Sequence, residues 1–193
     1  MEIASLSRLI AQFKSLPGVG LKTATRYAYR IIEGSKENAQ EFANAIMDAV
    51  KNIRLCSVCG NFTDLEVCDI CQNRDKSIIC VVAEPKDINA FEKMGEYKGV
   101  YHCLHGTIDF QKGRGIDDIR IKELMARLTG VNEVIIATNA DISGELTASY
   151  LANQIKPLGI KVSRLAYGIS LGSEIEYADE LTLQRALQDR KTL

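Results

Sequence analysis

The residues with the most definite chemistry are four cysteines in CSVCGNFTDLEVCDIC, residues 56–71. Cys56 and Cys59 form one C-x2-C pair and Cys68 and Cys71 a second, with eight residues between the pairs. A C-x2-C turn presents both sulfurs on one side of a small knuckle, and Gly60 eases the first of these turns. Two such knuckles complete a tetrahedral thiolate set for Zn2+. A redox C-x-x-C stands once beside a βαβ unit, not twice in series. All four positions are sulfur, with no histidine and no open position, so the pattern predicts one structural zinc ion per chain and no catalysis by it. Cys80 in SIICVVAE and Cys103 in GVYHCL read as small core residues. His102 and His105 have no ligand partner by spacing and read as structural.

A second chemistry is suggested by LPGVGLKTATR, residues 16–26. Gly18 and Gly20 lie in a tight hairpin between two helical patterns, where the absence of a Cβ lets backbone N–H groups approach a phosphate oxygen. Lys22 and Arg26, four residues apart, share a helix face, and Arg30 continues it. Nothing in this set reads base edges, so the contact it predicts is sequence-independent and salt-sensitive. A Walker A loop lacks its glycine before Lys22, and a dinucleotide fingerprint lacks its third glycine at Thr23; both also require a preceding strand. A glycine turn that merely packs two helices is the competing structural reading. The stretch resembles the helix-hairpin-helix DNA-binding motif, which covers about thirty residues here. Between Arg8 and Ile32 there are five bases and no acid, which favours the DNA-binding reading.

Acidic residues supply a third pattern. Glu84 ends the SIICVVAE strand, and ATNADISGE (137–145) places Asp141 and Glu145 after another strand, at the carboxyl edge where open α/β sheets hold their sites. Clustered carboxylates can hold Mg2+ for phosphoryl chemistry. The arrangement resembles the Toprim domain of topoisomerases, primases and some nucleases, which has a Glu after its first strand and Asp-x-Asp after a later one. Glu84 and Asp141 match, but Asn139 replaces the first Asp, and a neutral amide weakens divalent binding. Solvated edge carboxylates remain the alternative for Glu84 and Glu145.

These residues need elements to position them. Ile3, Leu6, Leu9, Ile10 and Phe13 recur at helical spacing up to Pro17-Gly18, and Leu21, Ala24, Ala28 and Ile31 resume it up to Gly34. Ser35 caps a third helix whose stripe of Ala39, Phe42, Ala43, Ile46, Met47, Val50 and Ile53 is expected to be core. Beyond the cysteines the pattern alternates: strands at 77–84, 99–104, 131–138 and 159–166, with helices at 86–94, 117–128, 144–155 and 178–187. Strand–helix alternation with Val/Ile-rich strands predicts a mostly parallel sheet covered on both faces. The 193 residues suffice for one medium domain or two small ones, and 46% are hydrophobic. The net charge of −1 argues against indiscriminate coating of nucleic acid. It is unevenly spread, with eight Lys/Arg against five Asp/Glu in residues 1–54. No apolar run approaches the ~18 residues of a membrane span. Arg8 and Lys14 interrupt any secretory h-region, so a reducing cytoplasm is expected and six cysteines need not be disulfides.

In order, the chain therefore reads as α/β with a helix-hairpin-helix module (1–54), a four-Cys zinc knuckle (55–72), a Toprim-like mostly parallel α/β domain (77–170) and a C-terminal helical tail for oligomerisation (171–193). That combination resembles the RecR recombination-mediator family, also in VVAEPKDI, GEYKGVYHCLHG and AYGISLGSEIEYADELTLQRAL. The resemblance implies a non-enzymatic role in recombinational DNA repair: binding DNA and, with RecO and RecF, helping to load RecA onto single-stranded DNA. It also implies a homo-oligomer, a tetrameric ring around DNA, with Lys22 and Arg26 at the family's basic positions. By the same resemblance, Glu84, Asp141 and Glu145 would face the RecO partner. The tail GISLGSEIEYAD occupies the place of a segment likened to Walker B; with no Walker A, Ile175 and Tyr177 are expected to pack against a neighbouring subunit. The enzyme alternative is a Mg2+-dependent Toprim nuclease or topoisomerase.

Overall fold

The computed structural model describes residues 3–190, apart from 167 and 170, together with residue 192. Residues 167 and 170 of the closing segment thus lie outside the description. The chain forms two compact units that divide between Ile53 and Arg54.

The first unit is three helices: α1 (Ala4–Lys14), α2 (Leu21–Ile32) and α3 (Lys36–Asn52). Ser35 caps α3 as expected, its Oγ accepting from the amide of Asn38 at 3.1 Å. Helices α1 and α2 meet through Phe13 and Tyr27, edge to face with centroids 5.7 Å apart. Ala24 and Ala28 on α2 are fully buried, and small side chains there let the helices approach closely. The apolar stripe of α3 is not core, contrary to its periodicity. Met47 is 67% and Val50 76% exposed, and Phe42, Ile46 and Ile53 are about half exposed. Three short helices have too little interior to cover every apolar face they carry.

The second unit begins with a minimal antiparallel hairpin, β1 (Arg54–Leu55) and β2 (Phe62–Thr63), followed by the short helix α4 (Asp69–Asn73). A four-stranded sheet follows: β3 (Ile78–Val82), β4 (Val100–Cys103), β5 (Glu133–Ala137) and β6 (Lys161–Arg164). All its pairings are parallel, in the order β4-β3-β5-β6. Helix α5 (Pro85–Met94) links β3 to β4, α6 (Ile121–Ala126) lies between β4 and β5, and α7 (Ile142–Ile155) links β5 to β6. The tail ends in α8 (Glu180–Gln188).

Alternation along β3 feeds two cores. Ile79 and Val81 join Val134, Ile136, Leu124, Leu151 and Ile155 on the face covered by α6 and α7. Cys80 and Val82 join Ile88, Tyr101 and Cys103 on the face covered by α5. Among the described residues the second face is fully buried at β3 and β4 and partly at β5. Along β5, Val134 and Ile136 point to the first core and are buried, while Glu133, Ile135 and Ala137 are half-buried, Ala137 packing against the second core. One helix of ten residues is too narrow to span four strands, so coverage of both faces is partial rather than complete. Because β5 returns to the opposite side of β3 from β4, the strand order reverses between β3 and β5. The crevice at their carboxyl ends is where such sheets place sites.

Candidate nucleic-acid interface and metal centre

The hairpin between α1 and α2 is built by local bonds. The amide of Ser15 reaches Ala11 O at 3.1 Å, closing α1, and that of Val19 reaches Leu16 O at 3.1 Å. Gly18 has φ +78°, a left-handed turn that a side chain would strain. Gly20 is different: its φ of −77° is open to any residue, and a Cβ there would meet nothing within 4 Å. Neither local strain nor packing inside the chain demands glycine at Gly20. It leaves the first turn of α2 open, with no side-chain cap and no acid in that turn. The uncapped N–H groups and the helix dipole face outward there, which suits an anion.

Lys22, Arg26 and Arg30 are all exposed, as are Gly18 and Gly20. The Arg26 guanidinium rests 5.7 Å from the centroid of the Tyr27 ring, which restrains the charge. The hairpin is therefore not sealed into a core.

The four cysteines come together. Their sulfurs all lie within 4.8 Å of one another, and all four residues are buried. Gly60, φ +75°, closes the first turn with its amide on Cys56 O at 2.9 Å; a Cβ there would stand 3.1 Å from Cys103 O. Amides point at the sulfurs, that of Cys68 at Cys56 Sγ (3.3 Å) and that of Asn61 at Cys59 Sγ (3.4 Å). Burial pushes the Cys56 thiol up, yet the amides of Cys59, Cys68 and Val58 outweigh it and bring it down to about 6. Cys59 is pushed up by its hydrogen bond with Cys71 and by burial, and Cys68 is raised by burial to about 11. Packed thiols cannot all ionise without a cation among them, and Zn2+ supplies that charge. The donor set and its spacing fit a structural zinc ion.

The knuckle is fastened to the α/β domain. Cys103 N donates to Cys59 O at 2.7 Å, His105 Nε2 meets Gly60 O at 2.7 Å, and Arg127 Nη1 reaches Val58 O at 3.4 Å. Ile70 packs against both sheet cores as well as the cysteine cluster. His102, fully buried, holds Nε2 at 2.7 Å from Arg120 O; burial lowers its pKa to about 3, so it is a neutral core histidine.

The three acids each have partners of their own. Glu84 is exposed at the N-terminus of α5 and pairs with Lys86 at 2.6 Å. Its amide donates to Asp87 Oδ2 at 2.9 Å. Asp141 caps α7, accepting from Gly144 N at 2.7 Å and Ser143 Oγ at 2.9 Å. Glu145 is held by two arginines, 2.5 Å from Arg164 Nη2 and 3.7 Å from Arg185 Nη1. Among the described residues, the cysteines are the group of three or more ligand-type side chains that could hold a metal, and these acids do not form one.

Residues outside the sequence reading shape this edge. Arg164 on β6 also donates to Thr138 Oγ1 at 2.9 Å and to Asn139 O at 3.1 Å, tying the β5–α7 loop down. A Cβ on Gly144 would stand 2.0 Å from Asn139 O, so only glycine fits beneath that loop. Beside Asp141 an open groove of about 430 Å3 is lined by Ile108, Phe110, Ile142 and Leu146, with Phe110 and Ile142 largely exposed. No local sequence signal announces the groove, because its walls come from separate segments.

An exposed glycine hairpin between two helices, a buried four-cysteine knuckle and a parallel domain with acids at its switch point make up a protein of helix-hairpin-helix, zinc-knuckle and Toprim build. Family models match in that order. They are the RecR helix-hairpin-helix over residues 6–50, the RecR four-cysteine zinc finger domain over 53–73, the Toprim domain over 77–166 and the RecR C-terminal segment over 168–191. The chain is 51% identical over 192 residues to "Recombination protein RecR" of Clostridium perfringens strain ATCC 13124, covering 98% of this chain and 97% of the relative. The protein of that name from C. perfringens strain 13 matches to the same extent. The chain belongs to the RecR family. Among the described residues no helix is long and apolar enough to cross a membrane.

Proposed function

We propose that this protein is a cytoplasmic DNA-repair mediator that grips DNA backbone through the α1–α2 hairpin and, with RecO and RecF, helps load RecA onto single-stranded DNA. The observation that carries the reading is the open start of α2, where uncapped amides and Gly20 lead into Lys22, Arg26 and Arg30 on an acid-free run. The zinc knuckle is structural. Glu84, Asp141 and Glu145 are the partner-facing acids, and the apolar groove beside Asp141 supports a protein contact at that edge. The arginines on Glu145 and the neutral Asn139 weigh against bound Mg2+ and against nuclease chemistry.

The exposed α3 stripe, and Ile175 and Tyr177 in the tail (Tyr177 is 80% exposed), support assembly with further copies of the chain into a tetrameric ring. Lys22→Ala with Arg26→Ala tests the central claim by DNA titration at several salt concentrations. The logarithmic salt slope is expected to fall by about 2 and most affinity to go, with zinc content and melting temperature kept. Undiminished DNA affinity in that double variant rejects the proposal.

A further inference from the structure

Backbone binding does not account for Tyr29 on α2. At 100° per residue, Lys22, Arg26 and Tyr29 fall within about 60° of one another around the helix, on the side away from buried Ala24 and Ala28. Tyr29 is 48% exposed. Its neighbour Tyr27 has its ring against Phe13 and beneath the Arg26 guanidinium, whereas among the described residues the Tyr29 ring faces neither an aromatic nor a cation. Arg26 precedes it by one turn on this face, Arg30 lies about 100° round the helix, and Glu33, one turn further on the same face, ends the basic track.

A duplex exterior offers cations and amides something to hold, but offers an aromatic ring nothing, since its bases are paired and stacked. An unpaired base has an accessible face, and stacking on an aromatic side chain is worth about 1–3 kcal/mol per base regardless of its identity. Lys22 and Arg26, on the N-terminal side of the ring, are placed to hold the phosphates leading up to such a base. We infer that Tyr29 is a stacking platform and that the hairpin face takes single-stranded nucleic acid in preference to duplex. This rests on the DNA-binding reading of the hairpin.

The experiment uses the full chain and fluorescence anisotropy with three probes: a short oligothymidylate, a duplex of equal length and the same strand carrying abasic positions. Tyr29→Ala is expected to weaken oligothymidylate binding about 5- to 100-fold, with its salt slope intact. Duplex binding is expected to be unchanged, Tyr29→Phe to restore the wild-type value, and the abasic strand to bind both proteins alike. Equal losses on strand and duplex, or no loss on the strand, overturn the inference. So does a Tyr29→Ala protein whose molar mass by light scattering drops, which assigns the ring to a subunit contact. Full retention of binding in Lys22→Ala/Arg26→Ala instead removes the hairpin reading itself, and is seen independently of any Tyr29 result.

Discussion

The two units of this chain put the same residue types to opposite uses. In the helical unit apolar side chains are largely uncovered, and among the described residues just two alanines of α2 are fully buried. In the α/β unit a continuous core runs from β4 through β5 to α7, and even a histidine and six cysteines are buried. Glycine shows the contrast most sharply. Gly20 faces open space at a φ any residue tolerates, whereas Gly144 is pressed against the backbone of Asn139. Free energy of folding is concentrated where the interior is, and ligand-ready surface where it is not. A small helical unit that leaves amides, cations and aromatics outward is readily adapted to a polyanion, provided the other unit keeps the chain folded.

The largest expected effect tests whether stability resides in the second unit. Replacing Cys68 with Ser, or stripping the metal with a chelator, leaves buried thiols without their cation and cuts the fastening at Cys59 and Gly60. Because structural zinc binding is folding free energy, on the order of 10 kcal/mol in small modules, the α/β unit is expected to lose its cooperative unfolding transition or melt far lower. Thermal unfolding with zinc quantified by a chromogenic chelator measures this. A metal-free protein with an unaltered transition breaks the comparison.

A pair of glycine substitutions sharpens it. Gly144→Ala forces Cβ into Asn139 O, and the backbone on both sides must move; overpacking of this kind costs about 1–3 kcal/mol or more. Gly20→Ala meets no atom and no strain, so stability is expected to stay within about 0.5 kcal/mol, while DNA affinity falls as the methyl screens the α2 amides. Urea unfolding and DNA titration of both variants give the crossed pattern. Equal destabilisation by the two substitutions contradicts it.

Much of this was legible in residue order. The helix and strand positions, the Ser35 cap and the tetrathiolate knuckle follow from period, capping chemistry and ligand spacing, all of which act over a few residues. The α3 stripe shows the boundary of that legibility. Periodicity identifies Phe42, Ile46, Met47 and Val50 as a face that needs cover, but not whether the same chain supplies it. The pairings at the acid edge were not legible for another reason. Glu145 is neutralised by Arg164 from β6 and Arg185 from α8, and Gly144 is fixed by Asn139 across a turn; such pairings are set by tertiary approach and have no periodic signature.

The smallest effect separates the buried interior from the open hairpin by pH. His102 sits neutral in the interior, with its pKa lowered to about 3 by burial and by neighbouring Arg127 and Arg120. An unfolded histidine titrates near 6.5. Between these values the unfolded chain binds a proton that the folded chain refuses, so stability is full above about pH 6.5 and declines as pH falls. The slope is up to about 1.4 kcal/mol per pH unit for one such group. His102→Gln, which keeps a donor toward Arg120 O but cannot titrate, is expected to flatten that limb between pH 6.5 and 5, with zinc content followed in parallel to separate loss of metal. The hairpin carries no histidine, so DNA binding by intact protein should not follow the same curve. If His102→Gln unfolds with the wild-type pH slope, the acid sensitivity belongs to the knuckle's thiols, and the buried histidine is only packing.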